Sequence, residues 1–222
     1  MSHKRVIFNE SMIRATLAGR KRQLRVPVKL TAEHKRRGMS IESGLYFQGM
    51  LLVSAANCRV RVPCPLGDVG DTLWAAETFC YEMAPQTVGS DPRVIYRADR
   101  GPDNHWFSAS TMSEKESRIR LEILHVKPQR LQDISAAEAL LEGMQYRYAG
   151  HNQYNNYRDG WSWCDPHPID VDPELGWRHC LPTARFAYAN MWIKSATSKK
   201  KGWCHYYDNP WVWVITFKRC SH

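Results

Sequence analysis

The sequence predicts an α+β fold, a small mixed β-barrel with flanking helices and inserted loops, on three observations. Many short β-like runs are punctuated by turn residues, few helical segments come between them, and one long polar stretch has no periodicity. The chain has 222 residues, 43% hydrophobic and 24% charged, so it is long enough to bury a full core, and one domain over 1–222 is expected.

Taken in order, Arg5 to Phe8 is a short β-like run, and Asn9 is placed to cap a helix from Glu10 to Ala18. Ile13 and Leu17 share a face of that helix, and Gly19 ends it. A strand follows in the basic stretch. Gly44 to Val53 reads as a strand or hairpin, and Cys64 to Asp71 has the chemistry of a turn. Thr72 to Phe79 alternates Leu73, Ala75, Glu77 and Phe79 against Trp74, Ala76 and Thr78, which places Glu77 among inward-facing residues. Arg93 to Ala98 is another strand, and in Arg118 to Val126 Ile119, Leu121 and Ile123 alternate with Arg120, Glu122 and Leu124.

Ser135 and Glu138 form a capping box for a short helix that Gly143 closes, so Glu142 falls in its last turn, against the helix dipole. Residues 144–181 read as a long inserted loop or lid rich in aromatics: Tyr146, Tyr148, Tyr154, Tyr157, Trp161 and Trp163. Pro182 to Ser195 is helical, with Phe186, Ala189 and Ile193 on one face and Tyr188 paired with Trp192. A basic turn, Lys199 to Lys201, precedes a closing strand from Asn209 to Phe217, and Trp74, Trp211 and Trp213 are expected in the core.

The net charge of +9 has a location. Residues 1–37 hold eleven Lys or Arg against only Glu10 and Glu33, so the excess lies there and the rest of the chain balances. Concentrated positive charge favours a polyanionic partner through counterion release, and a plain solvated surface is the alternative. Lys21 and Arg25, four apart on one face, stand out as ligands for a phosphate or a polarised carbonyl; surface ion pairing is the bland reading.

Phosphoryl and hydride transfer drop away, since the chain has no P-loop, dinucleotide fingerprint, G-x-S-x-G elbow or H-E-x-x-H. Cys164, His167, His179, Cys180, Cys204 and His205 have no spacing common to zinc fingers, so neither a metal nor a cofactor is expected. Seven cysteines without a framework spacing read as reduced thiols. With no apolar run of membrane-spanning length, a cytoplasmic protein without membrane contact is expected.

Four blocks in order carry a resemblance: Leu17 to Lys21 with Arg25; Gly70, Asp71, Leu73, Trp74, Glu77 and Thr78; Arg130 to Gly143; and Asn209 to Phe217. Together they look like the ASCH domain family, in particular the ASCH-type proteins of tailed phages and prophages, with residues 31–63 and 144–181 as insertions. The resemblance implies a PUA-like barrel whose cleft beside the first helix binds RNA or nucleosides, single-stranded DNA being a further possible partner. One branch resembling this chain hydrolyses N4-acylated cytidines with a lysine, a threonine three residues later and a glutamate near the end of the central helix; another class is ribonuclease-like. Carried over, the lysine is Lys21 and the glutamate Glu142, while the threonine position holds Leu24. The family's arginine position holds Val26, with Arg25 displaced by one. Thr16, Thr72 or Thr78 would have to supply the missing hydroxyl, or Lys21 and Glu142 a water.

The expected function is therefore recognition of RNA or a modified pyrimidine nucleoside by Arg20, Lys21, Arg25, Trp74 and Glu77, lining a hollow. Removal of acyl groups from N4-acylated cytosine, with Lys21 and Glu142 catalytic, is the alternative. A third reading is a basic N-terminus that meets an acidic host protein.

Overall fold

The computed structural model describes residues 3–37, 41, 46–47, 50–55, 58–82, 93–100, 105–148, 159–163, 180–198 and 205–220. In chain order the strands and helices are β1 (His3–Ile7), α1 (Glu10–Leu17), β2 (Gln23–Pro27), α2 (Ala32–Arg36), β3 (Tyr46–Phe47), β4 (Met50–Ala55) and β5 (Cys58–Pro63). Then come β6 (Thr72–Ala76), β7 (Phe79–Tyr81), β8 (Val94–Tyr96), α3 (Arg97–Arg100), β9 (Arg120–Arg130) and α4 (Ala136–Leu141). The last are β10 (Gln145–Arg147), β11 (Gly160–Ser162), α5 (Ala184–Ser198) and β12 (Trp211–Arg219). The fold is α+β.

A five-stranded sheet in the order β1-β6-β9-β12-β2 organises the molecule, with only the β1–β6 pair parallel. Its pairings among the described residues run from one edge to the other and close no barrel. β1 and β2 are the two edges, so α1, which joins them, crosses one face of the sheet. Asn9 caps α1 by accepting from the Met12 N–H, and Gly19 at φ +70 reverses the chain after it.

The period of two along β12 sorts the cores. Trp213, Ile215 and Phe217 face Ile13 of α1 together with Val6, Phe8, Leu73, Leu121 and Ile123. Val212 and Val214 face the other way, under α4 and α5, against Leu131, Ala139, Ala187, Tyr188 and Trp192. A bulge where Thr216 pairs with His125 but Phe217 pairs with Ile123 shifts the register of β9. The extra residue flips the alternation, so Val126 joins the core of Ile119, Leu121 and Ile123 although it shares a parity with Leu124.

Three local expectations change. The strand foreseen over Thr72 to Phe79 is two: β6 ends at Ala76, and β7 pairs with β8 in a separate two-stranded sheet. Both sides of β6 are covered, Leu73 and Ala75 by the main core, Trp74 and Ala76 by a small cluster with Phe79 and Met112, so alternation carried no inside and outside. The main buried stripe of α5 is Ala184, Ala187, Tyr188, Met191 and Trp192, spaced 3, 1, 3 and 1; of the expected face Ala189 is buried, whereas Phe186 is 59% exposed. Tyr188 and Trp192 do pair, in a tilted contact with centroids 6.2 Å apart.

The described ends of the 144–181 segment form a hairpin of β10 and β11, and Trp161 makes a bridge to Leu181. Tyr146 packs edge-on against Tyr148 and Trp161 there; Tyr154 and Tyr157 lie outside the described residues, as do Lys199 to Lys201. The 31–63 segment carries α2 and a three-stranded sheet, β3-β4-β5, whose Leu51 reaches the main core. Among the described residues no helix is long and apolar enough to cross a membrane.

Candidate functional site: a buried ion network between strand β2 and helix α4

Two glycine-ended helices meet at the turn after α1. The N–H groups of Arg20 and Lys21 both bond the carbonyl of Ala15, and the N–H of Arg22 donates to the Leu141 carbonyl of α4 at 2.7 Å. Gly143, at φ +101, makes the approach possible: a Cβ there would stand 3.2 Å from the Cβ of Ala15 and 3.5 Å from that of Lys21. The C-terminus of α4 is thereby pressed onto Lys21.

Lys21 turns inward. Its Nζ donates to Glu142 Oε2 at 2.7 Å, to the Glu142 carbonyl at 3.2 Å and to the Gln23 carbonyl at 2.8 Å, so all three N–H donors are engaged. Arg25 Nη1 donates to Glu142 Oε1 at 2.9 Å and to Gln23 Oε1 at 2.8 Å. The other end of the guanidinium reaches Gln129 Oε1 at 3.3 Å and Glu138 Oε2 at 3.2 Å. Side-chain exposure is 0% for Lys21 and Arg25 and 2% for Glu142. Glu142 caps α4 at its negative end, where a carboxylate is unfavourable. Two cations within 3 Å offset that, and Lys21 also satisfies a carbonyl of the helix end.

The sheet explains why these residues converge. β2, β12 and β9 lie side by side, with Arg25 opposite Val214 and Val214 opposite Lys127, and with Val212 opposite Gln129. Residues across a sheet in register share a face, so Arg25, Lys127 and Gln129 all point toward α4 and α5. Lys127 Nζ donates to Glu138 Oε1 at 2.8 Å, and this ammonium is 53% exposed. The charges thus run from the surface at Lys127 through Glu138, Arg25 and Glu142 to Lys21.

Burial raises the Glu138 carboxyl, but Lys127, the Ser135 N–H and Arg25 outweigh it and hold the group at about 2. Above the network, Tyr188 places its ring 5.5 Å from the Arg25 guanidinium. Burial, with the charge of Glu142 adding to it, keeps its phenol well above the ordinary range. The Tyr188 hydroxyl and Arg25 Nε are buried and make no hydrogen bond among the described residues.

Of the residues chosen from the sequence, Lys21, Arg25 and Glu142 come together, but as a closed network and not as the lining of a hollow. The surface ion pairing considered for Lys21 and Arg25 is not what forms. Arg20 is half-buried in the adjoining turn, and Arg22 beside it is exposed, donating to the Gly19 carbonyl. Trp74 and Glu77 stand apart: Trp74 packs under Arg5 in the small cluster, and Glu77, 3% exposed, is held by Arg118. Leu24 packs with Val26 on the main core, on the face of β2 away from Arg25. Among the described residues neither Lys21 nor Glu142 bonds Thr16, Thr72 or Thr78, and the Thr16 hydroxyl is engaged by the Met12 carbonyl.

Gln23, Lys127, Gln129, Glu138 and Tyr188 were missed. Gln23 had a signal, the parity it shares with Arg25; Glu138 was seen only as a capping-box residue, which it also is, accepting from the Ser135 N–H at 3.0 Å. No metal-holding group of His, Cys, Asp or Glu occurs among the described residues, and Cys164, His167, His179 and Cys204 lie outside them. Cys64 and Cys80 are buried thiols. Set against family models, curated proteins and solved structures, the chain matches none, and its site is read from its own geometry.

Proposed function

We propose that the chain is an ASCH-type, PUA-like protein that recognises RNA or a modified pyrimidine nucleoside, with Lys21, Arg25 and Glu142 at the heart of its site. The observation that carries this reading is the 2.7 Å contact of a buried ammonium and a buried carboxylate 121 residues apart, with a guanidinium on the second carboxylate oxygen. A buried ion network rarely stabilises a fold more than apolar residues of the same volume, so its presence favours a role beyond stability. Lys21 and Glu142 are satisfied by one another, Arg25 and Gln23, so the carbonyl and amino edges of a pyrimidine would bind here by exchanging for these partners. Arg25 Nε and the Tyr188 hydroxyl are two further donors for a ligand oxygen. The basic segment of residues 1–37 supplies attraction to a polyanion.

Deacylation of N4-acylated cytosine is the second reading, favoured by the same Lys21–Glu142 contact. Glu142 would act as general base on a water and Lys21 would stabilise the oxyanion. Recognition ranks above it because both Glu142 oxygens are already engaged by Lys21 and Arg25 in a sealed site, and because position 24 offers no hydroxyl.

Filter binding with RNA and single-stranded DNA, at several salt concentrations, tests the first reading together with N4-acetylcytidine binding. Affinity should fall as salt rises, and Lys21→Ala should weaken it by about ten-fold or more. No salt-dependent affinity for either polymer and no nucleoside binding would overturn it. Ultraviolet absorbance of N4-acetylcytidine at high enzyme concentration tests the second, and absence of released cytidine rejects it.

A further inference from the structure

Arg118 lies outside the Lys21 network and is held by three groups at once. Its Nε and Nη2 donate to the two oxygens of Glu77 at 2.8 and 3.0 Å, and its Nη1 and Nη2 to the two oxygens of Asp99 at 2.5 and 3.0 Å. Its Cζ sits 4.0 Å over the ring of Tyr96. Two bidentate carboxylates fix the plane, and the aromatic ring supports it from one side. The same guanidinium, 23% exposed, lines a cavity of about 300 Å³ with Arg93, Val94, Ile95, Tyr96 and Asp99.

We propose that this cavity binds an amino-bearing nucleobase, stacked on the Arg118 guanidinium, with Asp99 accepting from the exocyclic amino group and Arg93 meeting the phosphate. In this proposal the base stacks on the face of the guanidinium opposite Tyr96, a plane fixed by its two carboxylates, and such planes are surfaces on which nucleobases stack. Val94 and Ile95 of β8 also line the cavity, and its volume leaves room for one base. Asp99, 47% exposed, sets the specificity: a carboxylate rewards an N–H donor and repels a keto oxygen. Arg93, 76% exposed on the rim and only loosely paired with Glu82 at 3.7 Å, is a point of attachment for phosphate. A bare anion fits worse, because the Asp99 charge faces it. None of these residues belongs to the Lys21 network, so this site goes beyond the proposed function and can fail without it.

The test is calorimetric titration of the whole chain with cytidine monophosphate, uridine monophosphate, inorganic phosphate and a short oligocytidylate. The cytidine nucleotide should bind about ten-fold tighter than the uridine one, which differs by a keto group in place of the amino group, and phosphate alone should not bind. Asp99→Asn should erase the preference for cytidine; Arg93→Ala should weaken both nucleotides several-fold and flatten the salt dependence, in a position too exposed to unfold the chain. Oligocytidylate binding more tightly than the monophosphate assigns the site to single strands, and equal binding assigns it to free nucleotides. Equal affinity for the two monophosphates, no binding of cytidine monophosphate at millimolar concentration, or wild-type affinity in both variants overturns the proposal. Loss of the binding in a Lys21→Ala chain whose circular dichroism and cooperative unfolding are retained would also overturn it, by placing the ligand in the first site, and would leave the proposed function standing.

Discussion

Glu142 and Glu77 are both buried carboxylates bound by arginine, yet the networks around them differ in closure. Glu142 faces two cations, one on each oxygen, with side chains 0% exposed. Glu77 faces a single guanidinium that takes both of its oxygens, and that guanidinium continues outward to a half-exposed Asp99. The first network ties β2 to α4 over 117 and 121 residues of chain; the second ties the end of β6 to the approach of β9 over 41. Water can replace a lost partner only in the open network. A sealed network turns every deletion into an uncompensated interior charge, while an open one can exchange partners with solvent or ligand.

Deleting each glutamate gives the largest expected effect and can break the comparison outright. Glu142→Ala leaves Lys21 without a carboxylate and Arg25 with Glu138 alone, in a sealed site, and should destabilise the protein by about 3–5 kcal/mol. Glu77→Ala leaves one partly solvated guanidinium still bound to Asp99, and should lose about 1–2 kcal/mol beyond any cavity effect. Urea unfolding midpoints of both variants decide it. Equal losses would mean that closure does not govern these networks.

A smaller effect separates the networks by pH. Glu138, at the outer end of the closed network, is depressed to about 2 from its ordinary 4.5. Its stabilisation is present above pH 4.5 and is lost as the pH falls through about 2. Glu77 is shifted the other way, because desolvation outweighs Arg118 and raises it above 4.5. The native state then holds its proton more tightly than the unfolded chain, so that stability is full below pH 4.5 and declines as the pH rises through the raised value. Denaturant midpoints between pH 2 and 7 should show Glu138→Gln flattening the acidic limb and Glu77→Gln flattening the limb above 4.5. The same change of slope in both variants would remove the contrast.

Local chemistry made much of this legible. Asn9, Gly19, Ser135, Glu138 and Gly143 mark helix ends by rules that act within a few residues, and the structure has α1 and α4 between them. Lys21 and Arg25 stand out in the sequence as cations after a glycine and Glu142 as an acid in a last helical turn, but only the resemblance sets Lys21 and Glu142 together. Their mutual contact is a property of sheet order, which brings β2 beside β12 and under α4, and no local pattern in the chain encodes that order. Sealing of the site was illegible for the same reason: Tyr188 and Glu138 come from elements read only for their own stripes and caps. On α5 the spacing of Phe186, Ala189 and Ile193 is as helical as that of the alanine-rich stripe that the sheet covers, so periodicity places Ala189 inside but does not reveal that Phe186 is exposed.

Position 24 carries the smallest expected change and sharpens the contrast between the two faces of β2. Gln23 and Arg25 point at the ion network, while Leu24, opposite Ile215, packs on the main core with Val26. A hydroxyl introduced by Leu24→Thr would therefore meet apolar side chains and not Glu142. The substitution should cost about 1 kcal/mol in lost burial of a half-buried side chain. It should give no deacylation of N4-acetylcytidine, measured by absorbance against the unmodified chain. Activity gained by Leu24→Thr would require β2 to present its other face to α4, and the separation between ion network and apolar core, on which the comparison stands, would go with it.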